Sequence, residues 1–331
     1  MKGKNVFKHG LYILIVIIAV VLIAAVGIAY YPVESKTNHA SVSQERATEL
    51  RNKFTGPHHL ITTTDGETLF LRRWNPDTIP PAKKEIAILI LHGITAYSGP
   101  YDMAGKPFSA SGYTTFGLDY RGHGLSGGNR GDSPGKERWI TDLAETVKYI
   151  KGLGFSKVIV LGHSLGVASA ICVANAVPDE ISGLVLLSGA YEGRKGLSKP
   201  PTLFEKTRFI VSAVVRPSHQ SYEYYREGMT VTKDSLFNLK YTPRFLMMLD
   251  VKTLRLPPGL DIPVLVGVGD KDELFTEEKV KEFYDLIPGN KKEFLVMKNT
   301  THAVIPVESW MQVVDWLDRT YTNTNLALDY P

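Results

Sequence analysis

The 331-residue sequence predicts an α/β protein: a mainly parallel sheet covered by helices on both faces, with a helical cap insertion and an N-terminal transmembrane helix. Three observations predict it. Short apolar runs alternate with helical patterns through most of the chain, as repeated βα units require. One stretch, residues 191–260, has no buried-strand run and breaks that alternation. At the amino end, the 21 residues from Leu11 to Tyr31 carry no charge, enough to span about 30 Å of hydrocarbon at 1.5 Å per residue.

The elements follow in order. Residues 1–32 read as a cytoplasmic N-terminus and membrane anchor. Lys2, Lys4 and Lys8 precede the apolar run, and Lys36 and Arg46 follow it mixed with Glu34 and Glu45. That bias puts the amino terminus inside and the main domain outside the cytoplasm. Small residues at Ala25, Gly27 and Ala29 also fit a cleaved signal peptide, which would give a secreted protein. Residues 33–57 read as a polar stalk with a short helix (QERATELRNKF). HHLITTTDGETLFLRRW alternates on both sides of Asp65-Gly66, a hairpin signal, and opens the first part of the core, residues 58–190. EIAILILHG is apolar throughout and suits a strand buried on both faces. YTTFGLDYRGHG, KVIVLGHS, ISGLVLLSG, IPVLVGVGDKD and KKEFLVMKNTTH repeat the theme. ERWITDLAETVKYIKGLG, LGVASAICVANAV, TEEKVKEFYDLIPG and ESWMQVVDWLDRTY are the helical patterns between and after them. Residues 191–260, rich in Phe, Tyr, Leu and Met, form the cap above the C-terminal strand edge, where open α/β sheets bind ligands. Residues 261–320 complete the core and 321–331 form a tail.

Composition narrows the chemistry. A formal charge of +4 with interspersed signs offers no nucleic-acid surface. A single cysteine, Cys172, in an apolar helical run, leaves no disulfide and no thiolate metal site. The nine histidines show no metal-ligand spacing, so no metal and no cofactor is expected.

LGHSLG, residues 161–166, sits where a strand turns into a helix. Gly162 and Gly166 flank Ser164 as a strained nucleophile elbow requires, with His163 inside the elbow and turned away. The helix N-terminus and the Leu165 N–H favour an oxyanion beside Ser164. A serine hydroxyl needs a neighbouring imidazole to take its proton. Of the histidines, His9 precedes the anchor, and His39, His58 and His59 lie in the stalk or at its end. His92 and His123 lie beside glycines in strand-end turns, and His219 is in the cap; His302 follows a strand in the loop KNTTHAV. His302 is therefore the expected base. The acid that orients it is Asp270 or Asp272, both after VLVGVG; Asp119 also ends a strand but precedes Ser164. The order Ser, Asp, His is the one G-x-S-x-G hydrolases use.

The stretches LHGITAYSGPYDMAGKPFSASGYTTFGLDYRGHGLSGG, LGHSLG, GDKDELF and TTHAV resemble the monoacylglycerol lipase and lysophospholipase branch of the α/β-hydrolases, with its serine aminopeptidase S33-like group. The resemblance runs from about Leu60 to Leu317 and is weakest in the cap. It implies the α/β-hydrolase fold and, through a G-x-x-D pattern beginning at Gly269, Asp272 as the acid. It also implies oxyanion donors at the backbone N–H groups of Ile94 and Leu165, and a structural role for Arg121-Gly122-His123-Gly124. The expected activity is a membrane-anchored serine carboxylic ester hydrolase acting on a monoacylglycerol or lysophospholipid. An S33-like aminopeptidase is the alternative, with Glu192, Glu205, Glu223, Glu227 and Asp234 as candidate ammonium anchors; a non-catalytic binding protein is the weaker one. Two features depart from the family pattern: Val167 stands where a second glycine is usual, and the cap matches no lipid-specific lid.

Overall fold

The computed structural model describes residues 2–194, 196–197, 200–226, 229, 232–248 and 254–322. The chain opens with α1 (Lys2–Tyr30) and α2 (Gln44–Asn52). The hairpin β1 (His58–Thr62) and β2 (Thr68–Trp74) follows, its turn closed by Gly66 at φ 86°. Next come β3 (Ile86–Leu91), α3 (Asp102–Ala110), β4 (Thr114–Asp119), α4 (Lys136–Gly152), β5 (Lys157–His163), α5 (Leu165–Ala176) and β6 (Gly183–Leu187). The cap contributes α6 (Leu203–Val215), a ribbon of β7 (Tyr222–Glu223) and β8 (Lys240–Tyr241), and α7 (Pro243–Met248). The chain returns through β9 (Val264–Gly269), α8 (Glu277–Asp285), β10 (Lys292–Met297) and α9 (Val307–Tyr321).

Eight strands form one sheet in the order β1-β2-β4-β3-β5-β6-β9-β10. β2 is antiparallel to both its neighbours, and every pair from β4 onward is parallel. The interior strands β3, β4, β6 and β9 are buried along their whole length, which is why they read as unbroken apolar runs. One face of the sheet packs Tyr101, Phe108 and Trp310 around α3 and α9. The other packs Trp139, Val147, Ile171, Val280 and Phe283 from α4, α5 and α8, and takes Phe245 and Met248 from the cap. Because β3, β5, β9 and β10 run parallel, the loops that follow them converge on one edge.

Two features differ from the sequence reading. Helix α3 shows no clear pattern in sequence because Gly105 and Pro107 sit inside it. Gly105 is needed there, since a Cβ would collide with the indole of Trp74. The segment 33–57 is not a free stalk. The Glu223 carboxylate accepts hydrogen bonds from the Lys36 N–H (2.5 Å) and the Thr37 hydroxyl (2.6 Å), and the Val42 N–H donates to Ser235 O (2.9 Å). Both ring nitrogens of His39 lie 3.0 Å from cap carbonyls, at Thr232 and Phe237, and Arg51 of α2 donates to Leu125 O (3.0 Å). Polar residues that read as linker are satisfying buried partners nearly two hundred positions away. Of the expected C-terminal tail, residues 323–331 lie outside the described residues, as does Glu227 of the cap.

Candidate active site

Ser164 stands between the end of β5 and the start of α5 with φ 57° and ψ −118°, a backbone conformation that side-chain-bearing residues rarely hold. Close packing holds it there. A Cβ on Gly162 would meet the Gly166 carbonyl, and one on Gly166 would meet the carbonyl of Leu91. The Ser164 N–H donates to Leu187 O (3.0 Å), tying the elbow to β6. Val167, which replaces the usual glycine, is accommodated by another glycine: a side chain on Gly189 would run into it.

The Ser164 Oγ–H donates to His302 Nε2 at 3.0 Å, and His302 Nδ1–H donates to Asp272 Oδ2 at 3.1 Å. The other carboxylate oxygen of Asp272 accepts from the N–H groups of Leu274 (2.8 Å) and Phe275 (2.9 Å). Burial opposes the charge on Asp272, but the His302 imidazole and the Phe275 amide outweigh it and hold its pKa below the ordinary value. The carboxylate is therefore ionised and aimed at His302. Asp270 is exposed instead, and its carboxylate accepts from the Thr300 N–H (3.3 Å), bracing the β10 loop rather than His302.

Gly93 closes the other side. A Cβ there would sit 3.3 Å from Ser164 Cβ and 3.7 Å from its Oγ, so the loop after β3 lies directly along the serine. Neither the Ile94 nor the Leu165 N–H donates to another protein group among the described residues. The cap fixes this loop from above: Tyr241 Oη reaches Ile94 O (2.7 Å), and the Asn238 N–H donates to Thr95 O (3.0 Å).

Two contributors, Tyr101 and Glu273, escape sequence reasoning, as does the partner of His163. Buried Tyr101 accepts the Gly93 N–H at its Oη (3.0 Å) and donates to His163 Nδ1 (2.7 Å). Burial pushes its phenol pKa well up, so the proton stays in place. Burial, and then the positive charge His302 can carry, push His163 down to about 3, which keeps it a neutral acceptor. Glu273 accepts the His302 N–H (3.0 Å) and pairs with Arg226 of the cap (2.9 Å). Tyr101 closes the H-G-x-x-x-x-S-G-x-Y stretch and Glu273 follows Asp272, so the signal was proximity to motifs; the partners were not readable.

The remaining candidates are structural. Asp119 accepts the N–H groups of Ser98 (2.6 Å) and Leu125 (2.7 Å). Arg121 pairs with Asp142 and Asp65, both at 2.8 Å. His92 Nε2 accepts the Tyr120 N–H (3.2 Å), and His123 is buried beside Arg121 O. Cys172 is buried in α5. Among the described residues no group of three or more His, Cys, Asp or Glu side chains is placed to hold a metal ion.

An uncharacterised protein of Escherichia coli, YnbC, is 26% identical over 290 residues, which is 82% of this chain and 48% of that protein. Rat monoglyceride lipase is 32% identical over 133 residues, 40% of this chain and 42% of the relative. The chain thus spans less than half the length of these curated relatives. Among solved structures, a soluble variant of Saccharomyces cerevisiae monoglyceride lipase matches with a TM-score of 0.64 over 88% of this chain and 99% of that one, at 18% identity. Paleococcus ferrophilus monoacylglycerol lipase matches with 0.59 over 76% and 99%, at 19% identity. At that identity the structures establish the fold: an α/β-hydrolase. The family model described as serine aminopeptidase, S33, matches residues 82–309, a span from just before β3 into α9 that takes in Ser164, Asp272 and His302. The chain belongs to this S33 hydrolase family of the α/β-hydrolases.

Proposed function

We propose that the protein is a membrane-anchored serine esterase that cleaves a single-chain acyl ester, a monoacylglycerol or lysophospholipid, through an acyl-enzyme. The observation that carries the reading is the Ser164–His302–Asp272 hydrogen-bond chain, set beside two backbone N–H groups with no acceptor among the described residues. As Ser164 Oγ attacks the ester carbonyl, its proton passes to His302 Nε2, and Asp272 stabilises the imidazolium. The Ile94 and Leu165 N–H groups hold the negative oxygen of the tetrahedral intermediate. Its collapse expels the alcohol, which takes the proton from His302. Water, deprotonated by the same imidazole, then attacks the acyl-serine, and collapse of the second intermediate frees the acid and regenerates Ser164.

The substrate class is supported by a cavity of about 1020 Å³ under the cap that reaches Ile94 and is lined by Phe204, Phe209 and Leu246 together with charged groups such as Lys36 and Arg208. Ser164 is not part of its wall; Ile94 is the shared residue. The aminopeptidase alternative needs a free carboxylate for an ammonium group. Glu205 is paired with Lys36, Glu223 holds the 35–37 segment, and Asp234 accepts from the Tyr97 hydroxyl, which leaves exposed Glu192 as the candidate anchor among the described residues. For localisation, helix Lys8–Tyr30 is long and apolar enough to cross a membrane. We read it as a single-pass anchor with the catalytic domain outside the cytoplasm.

The test offers long-chain monoacylglycerols, lysophospholipids, short aryl esters and aminoacyl amides to the full chain and to Ser164→Ala. Ser164-dependent release of fatty acid from the lipids is expected. Amide cleavage with negligible lipid turnover would replace this reading with the peptidase.

A further inference from the structure

The cavity that ends at Ile94 begins at the membrane helix. Tyr31, Pro32 and Val33, directly after α1, form its outer wall, facing Phe204 and Phe209 of α6. This arrangement is fastened at several points. Arg216 lies 3.7 Å over the Tyr30 ring and donates to Ala29 O (3.4 Å), and Arg208 donates to Pro32 O (3.1 Å). The Tyr31 and Phe204 rings meet edge-on at 5.2 Å, and Lys36 pairs with Glu205 at 2.9 Å.

The outer side of α6 carries exposed apolar side chains beside exposed Lys206, and one of them, Ile210, also borders the cavity. Leu203 and Val214 are each 81% exposed and Ile210 is 63% exposed. An apolar face of this kind needs a cover. A bilayer covers it by continuity: α6 packs against the last turns of a helix apolar enough to cross a bilayer. With α1 in the bilayer, α6 lies at its surface with these three side chains in the acyl region, and Tyr30 and Tyr31 sit at headgroup level, where such rings concentrate. Tyr31 and Phe204, which both line the cavity and touch edge to edge, then stand between it and the lipid.

We propose that the membrane anchor is a wall of the substrate site, and that a single-chain acyl lipid passes from the bilayer into the cavity between the end of α1 and α6. The acyl chain lies along Tyr31, Val33, Phe204 and Phe209, with the ester at Ile94 and Ser164. The proposal rests on the lipid-ester reading and adds the route and the wall. It assigns the anchor a role beyond tethering: cutting the chain after Ala29 would free the segment that closes the cavity.

Two experiments on the full chain in phosphatidylcholine vesicles test it. In the first, the Ser164→Ala protein is irradiated with a non-hydrolysable ether analogue of a long-chain monoacylglycerol bearing a diazirine at the chain end. Label is expected in the peptides carrying residues 31–36 and 203–210; label confined to other peptides overturns the proposal. In the second, Val33→Trp narrows the wall. The ratio of long-chain monoacylglycerol to short aryl ester turnover is expected to fall by about tenfold, the scale on which apolar pockets discriminate. An unchanged ratio overturns the assignment of the wall. If the wild-type chain cleaves aryl esters but no monoacyl lipid, the lipid reading of function has failed, whereas the labelling result still decides whether the cavity takes an acyl chain.

Discussion

The edge where Ser164 sits and the cap above it are built on different principles. At the edge, the backbone that presents Ser164 and Asp272 is set by local geometry. The serine is fixed by glycines two residues away on each side, and Asp272 by amides two and three residues on. In the cap, each group is held by something far off in sequence. Glu223 is held by residues 35–37, Tyr241 by Ile94, and α6 by the end of α1. The first arrangement sets the chemistry and leaves little freedom. The second shapes the substrate space and tolerates change. Substitutions should therefore act steeply at the edge and gradually in the cap.

The largest effect expected is at Asp272. Asp272→Asn keeps the shape but no longer fixes the tautomer of His302 or stabilises its cation, and kcat should fall about ten-thousand-fold on any ester. Asp270→Asn, whose partner is a loop amide, should stay within about threefold, since it costs a single partly exposed hydrogen bond. Steady-state kinetics on a short aryl ester check both. A larger loss at position 270 would mean that the edge is not organised around Asp272.

Acid should come next, and it acts chiefly on buried histidines at and beside the edge. His163 is held down to about 3 and His123 to about 4, in both cases chiefly by burial, and His92 is held well below its usual value. Each binds its proton more weakly folded than unfolded. The stability that depends on their neutrality is complete above about pH 6.5, the unfolded histidine value, and is lost as pH falls toward 4 and 3. Over that window His163 and His123 each contribute an expected loss on the order of 3 kcal/mol, to which His92 adds. Thermal unfolding from pH 7 to pH 4 measures it, and His123→Gln should flatten the curve. A profile that His123→Gln leaves unaltered would assign the protons elsewhere.

Tyr101→Phe probes the edge without touching the substrate. It strips the Gly93 N–H of its acceptor and His163 Nδ1 of its donor, both buried, at about 1–3 kcal/mol. Because that strain falls on the oxyanion loop, kcat should drop about tenfold. KM should hardly move. A change in KM alone would make Tyr101 a cap-side residue in effect.

The same contrast explains what the sequence discloses. β3, β5 and β9 are legible because burial on both faces demands unbroken apolar runs, and the elbow because its backbone admits only glycine on either side. Asp272 needed the family pattern: Asp270 is two residues away, and only the turn of the backbone decides which one faces His302. Helix α3 was hidden by Gly105, present for packing against Trp74 and not for helix propensity, and by Pro107. The segment 33–57 read as a linker because polar residues look alike whether they meet water or the Glu223 carboxylate. Tyr101 was in view, but its partner His163 is 62 positions away.

The smallest effect tests how much charge contributes to the coupling of the two regions. Arg226 of the cap reaches Glu273, whose other oxygen accepts the His302 N–H, an ion pair that adds to the Arg194 N–H bond to Leu274 O (2.7 Å) on the same loop. The Glu273 side chain is 38% exposed, and pairs of that kind contribute about 0–1 kcal/mol. Arg226→Ala should therefore lower kcat on a short aryl ester by about twofold at low salt, and the difference should shrink as salt screens the pair. Glu273→Gln keeps an oxygen for the His302 N–H while discharging the pair, and should match Arg226→Ala if charge alone is the link. A loss approaching that of Tyr101→Phe, insensitive to salt, would mean that the cap positions His302 mechanically. The edge and the cap would then be one cooperative unit, and substrate fit in the cap could set the rate of the chemistry below it.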